Sequence, residues 1–171
     1  MVKKKKLYNG KAFDVSLYNF SIGGKKVNHE IIEQGNAAAV LALEKDKVIM
    51  VKQFRYPNSD VLEIPAGILE KNETSEECAK REFLEETGYK ARKITRLIRY
   101  YPFLGYNLQY IDCFLATGIK KISRQNLDEE ESIKIEKIPL LKLIRMIKSG
   151  KIIDSKTIVS VMIYAAKNKL N

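Results

Sequence analysis

Between Ala12 and Glu33 apolar residues fall at every second position: Phe13, Val15 and Leu17 alternate with Asp14 and Ser16, and Val27, His29 and Ile31 alternate again beyond Gly23-Gly24. A period of two on either side of a Gly-Gly turn predicts two antiparallel strands. Ala37 to Leu43 and Val48 to Phe54 are continuous apolar runs parted by Lys45-Asp46-Lys47, the pattern of two buried strands and a short turn. Val61 to Gly67 is extended, because Pro65 disfavours helix at the residue before it. The pattern then changes period. Thr74 and Glu77 form a capping box and Gly88 stands at a helix stop, so a helix is predicted from Ser75 to Thr87. Ile94 to Tyr101, Leu108 to Ala116 and Ser132 to Lys137 read as strands. Two helices close the chain, one from Pro139 to Gly150 with Leu140, Leu143, Ile144 and Ile147 on one face, the other from Asp154-Ser155 with Ile158, Val161, Met162 and Ala165. These elements predict an α/β fold, a mixed sheet between helical layers.

Composition narrows the class. The chain of 171 residues is 45% hydrophobic and 30% charged, enough for one packed core without staples. Cys78 and Cys113 lie in apolar segments without metal-ligand spacing, which argues for a reduced interior and a cytoplasmic location, against a secreted scaffold or zinc site. Lys3 to Lys6 is followed by no apolar stretch, so it is read as a solvated tail and not a signal peptide. No run is long enough to span a bilayer, and no membrane partner is expected. Thirty-one Lys and Arg against 21 Asp and Glu give a formal net charge of +10, which admits nucleic acid or phosphorylated small molecules as partners.

The informative feature is the exception to that charge. Glu82, Glu85 and Glu86 sit at helical offsets that confine them to an arc of about 100°. Like charges so placed repel. A solvated acidic face is the ordinary alternative, but carboxylates gathered in a basic protein suit a hard divalent cation bound together with substrate phosphates. Arg81 is placed to orient one of them through a bidentate pair.

The spacing goes further. Gly67, five residues, Glu73, seven residues, Arg81-Glu82-Phe83, one residue, Glu85-Glu86, one residue and Gly88-Tyr89 resemble the Nudix box at every fixed position, with Tyr89 where an aliphatic residue is more usual. Val51 to Pro57 and Leu62 to Gly67 resemble the segment before the box in ADP-ribose pyrophosphatases and their GDP-mannose pyrophosphatase relatives. Tyr101-Pro102, Gly105, Phe114 to Ala116, the run Asp128 to Glu131, and Gly150, Asp154, Lys156 and Thr157 resemble later parts of that subgroup.

The resemblance implies a Nudix α/β/α sandwich over residues 36–171, with residues 1–35 as an N-terminal antiparallel β extension that helps form a homodimer. It implies hydrolysis of the pyrophosphate of a nucleoside diphosphate-linked small molecule, ADP-ribose to AMP and ribose 5-phosphate, with Mg²⁺ as cofactor and Mn²⁺ as a substitute. The metal ligands would be Glu82, Glu86, the Ala66 carbonyl and Glu131. Glu129 would be the water-activating base, with Glu85 competing for that role and Arg81 supporting the catalytic group. Arg55, Ile68 and Gln109 would bind substrate, although Gln109 replaces a glutamate and Phe103-Leu104 replaces Ser-Pro in the specificity loop. Other Nudix substrates remain open: GDP-mannose, a dinucleoside polyphosphate or a 5′-triphosphorylated RNA end, general nucleic-acid binding not being expected. A non-catalytic nucleotide sensor is the rival of another class, disfavoured by the intact Arg81, Glu82, Glu85 and Glu86. His29 is read as a partly buried structural histidine.

Overall fold

The computed structural model describes residues 2–57, 59–127 and 132–170. They divide into two compact units. One holds the chain up to Asn36 together with Tyr100–Ile111, and the other holds Ala37–Arg99 and the chain from Asp112 onward.

The first unit is a three-stranded antiparallel sheet of β1 (Lys3–Asn9), β2 (Asp14–Ile22) and β3 (Lys25–Glu33), in that order. The lysine run is thus a strand, correcting its reading as a tail. The reason is charge matching: Lys4 meets Glu33 of β3 at 2.7 Å and Lys6 meets Asp14 of the adjacent β2 at 2.5 Å, so the lysines answer acids on the other two strands of the sheet. Glu33 is held down to about 2 by hydrogen bonds from Lys4, Tyr18 and Ser16. His29 is exposed, not partly buried, and its ring lies 5.5 Å from that of Phe20.

Residues 100–111 complete this unit. Ile32 N–H donates to the Tyr106 carbonyl at 2.8 Å, and Tyr110 N–H donates to Asn36 Oδ1 at 3.1 Å. Leu108 to Tyr110 therefore leave the expected strand, because side chains of Asn36 and Asn107 take backbone N–H groups that a ladder would otherwise use.

The second unit is built on a mixed seven-stranded sheet. Its strands are β4 (Ala37–Glu44), β5 (Lys47–Arg55), β6 (Ser59–Glu63), β7 (Ala66–Ile68), β9 (Lys93–Tyr100), β10 (Ile111–Thr117) and β12 (Ile133–Pro139). The main order is β12-β5-β4-β10-β9, with β6 paired to β5 and β7 to β4. A two-stranded antiparallel pair of β8 (Tyr89–Lys90) and β11 (Lys120–Lys121), too short to leave a periodic signal, forms a separate sheet.

Three helices cover the sheet: α1 (Ser75–Thr87), α2 (Leu140–Lys148) and α3 (Ser155–Lys167). Strand β4 touches both α1 and α3. Its Ala38, Val40 and Ala42 share a core with Cys78, Ala79 and Phe83 of α1, while Ala39 and Leu41, equally buried, face the opposite side. A strand covered on both faces carries no alternation, which is why β4 reads as an unbroken apolar run. The N-cap of α1 is the expected box: Thr74 Oγ1 accepts from Glu77 N–H at 3.3 Å, and Thr74 N–H donates to Glu77 Oε2 at 2.9 Å. Among the described residues no helix is long and apolar enough to cross a membrane.

Candidate active site

Two short segments of the second unit build the site. One is the turn from β6 into β7, Glu63 to Ile68, and the other is the face of α1 that carries Arg81, Glu82, Glu85 and Glu86. Strand β7 pairs Ala66 with Ala39 and Gly67 with Ala38, so the turn is anchored to the central strand. Helix α1 stops at Gly88, whose φ of 71° is a left-handed conformation. A side chain there would also meet the Ser123 carbonyl at 2.3 Å, so glycine is required twice over.

Arg81 is the hub of the acidic face. Its Nε and Nη2 donate to Glu73 Oε1 and Oε2 at 2.8 and 2.9 Å, and its Nη1 donates to Glu82 Oε1 at 2.7 Å and Glu85 Oε2 at 3.1 Å. Nη2 also reaches the Ile68 carbonyl at 3.2 Å, binding the helix to the turn. The bidentate pair thus goes to Glu73, and Arg81 holds the stripe at its edge. These hydrogen bonds keep Glu73 below the ordinary carboxylate range. Burial, reinforced by Glu73 and Glu82, pushes the Cys78 thiol up to about 12, so it is a neutral donor to the Gly67 carbonyl at 3.6 Å.

Glu82 and Glu86 converge on two consecutive residues, Ala66 and Gly67. Glu86 is buried and its Oε2 accepts the Ala66 N–H at 3.1 Å. The Glu82 carboxylate lies where a side chain on residue 67 would be, since a Cβ on Gly67 would come within 1.9 Å of Glu82 Oε1. The missing Cβ is what lets this carboxylate approach the turn.

A second charged cluster backs the turn. Buried Glu63 receives Arg55 Nε at 2.6 Å and Nη2 at 2.9 Å, and it also pairs with Lys156, whose Nζ donates to Asp154 Oδ1 at 2.9 Å. Burial opposes ionisation of Glu63, but the hydrogen bonds from Arg55 and the charge of Lys156 outweigh it and hold its pKa below the usual value. Thr157 Oγ1 accepts the Ile64 N–H at 2.9 Å.

The sequence model of the NUDIX domain matches residues 33–158. The chain belongs to the Nudix family. It is 34% identical to the ADP-ribose pyrophosphatase of Bacillus subtilis (strain 168), over 99% of this chain and 94% of that protein. It is 32% identical to the methanol dehydrogenase activator of Bacillus methanolicus, over 94% and 89%. The GDP-mannose pyrophosphatase of Citrobacter koseri (strain ATCC BAA-895 / CDC 4225-83 / SGSC4696) shares 30% identity over 79% of this chain and 77% of its own. A crystal structure of an ADP compounds hydrolase superposes with a TM-score of 0.85 over 100% of this chain and 96% of that one, at 16% identity, and shares the Nudix fold.

Within the Nudix domain the structure brings together Ala66, Ile68, Arg81, Glu82, Glu85 and Glu86, and holds Arg55 against Glu63 beside the same turn. Gln109 lies in the other unit. There it is buried, its Oε1 accepting from Gln34 at 2.6 Å and its Nε2 donating to the Gly35 carbonyl at 2.5 Å, so its side chain ties chain to chain. Glu129 and Glu131 fall outside the described residues. The residues on either side of that stretch are anchored: Gln125 Nε2 donates to the Glu86 carbonyl at 2.6 Å and the Ile133 carbonyl at 3.1 Å, and Asn126 N–H donates to the Glu85 carbonyl at 2.9 Å.

Nudix hydrolases generally use a divalent metal. Among the described residues no three His, Cys, Asp or Glu side chains form a group that could hold one. Two carboxylates beside one backbone turn are nonetheless the donor chemistry a hard cation takes, since oxygen ligands from side chain and backbone suit Mg²⁺. Sequence reasoning missed Glu73 and Glu63 as site residues. Glu73 stands at a fixed position of the box and so carried a signal; Glu63 carried only the weak one of an acid inside an apolar stretch.

Proposed function

We propose that this Nudix pyrophosphatase hydrolyses ADP-ribose to AMP and ribose 5-phosphate. The observation that carries the reaction is the convergence of Glu82 and Glu86 on the Ala66-Gly67 segment, Glu86 at the Ala66 N–H and Glu82 at the Gly67 Cα, with Arg81 spanning Glu73, Glu82 and Glu85 beside it. Similarity to the ADP-ribose pyrophosphatase over nearly the full length of both chains supports the substrate. The GDP-mannose pyrophosphatase, similar over a shorter span, supports GDP-mannose as the second reading.

In this reading Glu82, Glu86, the Ala66 carbonyl and Glu131 hold Mg²⁺, or Mn²⁺ in its place. The metal supplies Lewis-acid neutralisation of the pyrophosphate and a lowered pKa for water. Glu129 takes the proton of the attacking water, and anchoring of Gln125 and Asn126 to the last turn of α1 supports that loop as its source. The water oxygen bonds to one phosphorus as the bridging P–O bond breaks, leaving the two phosphomonoesters. Arg55 binds phosphate through its guanidinium, with Ile68 lining the turn below it. Arg81 fixes Glu82 and Glu85 in place and is a positioning residue.

The three-stranded sheet of residues 1–35 is proposed as a homodimerisation element. A reducing cytoplasm is proposed for its location, a reading that Cys78 and Cys113, both free and buried, support. The deciding assay is a panel of ADP-ribose, GDP-mannose, NADH, diadenosine polyphosphates and triphosphorylated RNA with Mg²⁺, reading nucleotide or phosphate release. ADP-ribose is expected to give the highest kcat/KM; a higher value for another member replaces it as substrate.

A further inference from the structure

The N-terminus of α3 is the least expected neighbour of the catalytic turn, being 93 positions from it in sequence. Asp154 caps the helix, its Oδ2 accepting Thr157 N–H at 2.9 Å and Thr157 Oγ1–H at 2.5 Å. With its proton committed to Asp154, the Thr157 hydroxyl offers its lone pairs to the Ile64 N–H at 2.9 Å. Ile64 and Thr157 are both fully buried, so no water substitutes for that acceptor without rearrangement.

From Ile64 onward the turn is fixed atom by atom. The Pro65 carbonyl accepts Val40 N–H at 2.8 Å, Ala66 N–H meets Glu86, the Gly67 carbonyl meets Cys78, and the Ile68 carbonyl meets Arg81. Thr157 is the first tie in that series. It is the one supplied by the C-terminal helix.

Lys156 makes the second contribution. Glu63 has two cationic partners of unequal exposure: the Arg55 side chain is 49% exposed and the Lys156 side chain 12%. The buried carboxylate requires a permanent counter-charge, and Lys156 is the one shielded from solvent. Arg55, at the open side, keeps access to a ligand.

We infer that Thr157 and Lys156, set by the Asp154 cap, are positioning residues of the hydrolytic site: Thr157 fixes the backbone from Ile64 to Ala66 against which Glu82 and Glu86 are aimed, and Lys156 keeps the buried Glu63 compensated when Arg55, paired with Glu63 in this structure, turns to a substrate phosphate. The inference deepens the proposed pyrophosphatase reading and rests on it. The two residues should separate kinetically, because one governs the reacting geometry and the other the binding arginine.

The test compares wild-type protein with variants by three measurements: Mn²⁺ affinity by calorimetry, hydrogen–deuterium exchange of the peptide containing Ile64, and steady-state kinetics on ADP-ribose. Thr157→Val is expected to speed exchange at Ile64, weaken Mn²⁺ binding about tenfold and lower kcat about tenfold at unchanged KM, because small displacements of a reacting geometry cost rate steeply. Thr157→Ser restores all three. Lys156→Met is expected to raise KM about tenfold at nearly constant kcat, as Arg55 could then leave Glu63 only by stranding a buried carboxylate without a cation. If Thr157→Val does not fold, Thr157→Ala, which removes the same acceptor and leaves the Asp154 cap in place, replaces it with the same expected signs.

Thr157→Val with wild-type Mn²⁺ affinity and kcat overturns the role of Thr157, whatever its melting temperature. Lys156→Met with wild-type KM overturns the role of Lys156. A wild-type protein inactive on ADP-ribose overturns the proposed substrate instead, and Mn²⁺ affinity and Ile64 exchange then decide the positioning role without it.

Discussion

The charged clusters on the two sides of the Pro65-Ala66-Gly67 turn are built on opposite plans. On the α1 side one guanidinium, Arg81, serves three carboxylates, Glu73, Glu82 and Glu85, with buried Glu86 close behind on the same helix. On the α3 side Arg55 and Lys156 face Glu63 and Asp154, charge for charge. The balanced cluster is complete in itself, as a buried ion pair must be to offset its desolvation. The other gathers several carboxylates around one guanidinium. Carboxylates gathered on one helix face are the donor chemistry that a hard cation takes.

The two plans predict different responses to the loss of one carboxylate. Glu86→Gln should cost the most, on the order of 10³-fold in kcat/KM or ~4 kcal/mol of transition-state stabilisation, with melting temperature little changed. Unchanged turnover would remove Glu86 from the metal set. Gly67→Ala comes next: its Cβ displaces the flexible Glu82 carboxylate without straining a left-handed backbone, so kcat should fall on the order of 10²-fold while the fold is retained. A variant that loses stability but keeps its rate would show Gly67 to serve packing alone.

Across the turn the sign of the response reverses. Glu63→Gln leaves two cations facing a neutral amide and should lower stability by about 2 kcal/mol in a denaturant titration, less than for a fully buried pair because Arg55 is half exposed. A stabilised variant would break the comparison. The smallest effect is in acid. The folded pKa of Glu63 lies below its ordinary 4.5, so its stabilisation is complete above pH 4.5 and is lost as pH falls through the folded value. Melting curves below pH 4.5 should therefore be flatter in Glu63→Gln than in wild type.

Much of this was legible in the chain because each signal was local. The capping box at Thr74, the stop at Gly88 and the buried run Ala37 to Leu43 each state their structure within one element. The carboxylate stripe was equally readable, as helical spacing alone puts Glu82, Glu85 and Glu86 on one side. What escaped was pairing at a distance. Nothing near Lys4 or Lys6 announces Glu33 or Asp14 as ion-pair partners, nothing in β6 announces Lys156, and Asn36 gives no sign that it will take the Tyr110 N–H from a would-be strand. Glu73 differs from these: its box position was visible, but its claim on the Arg81 fork depends on how the loop before α1 folds back.

The unit that contains the three-stranded sheet is assembled from two stretches of chain, the first ending at Asn36 and the second running from Tyr100 to Ile111. Gln34, Gly35 and Asn36 bind Gln109 and Tyr110, and Ile32 binds the Tyr106 carbonyl, so neither stretch has its hydrogen bonds satisfied without the other. Such an extension is not a detachable module. A clone starting at Ala37 would strip the 100–111 segment of its partners, and grafting residues 1–36 onto another Nudix domain would transplant half of an interlock.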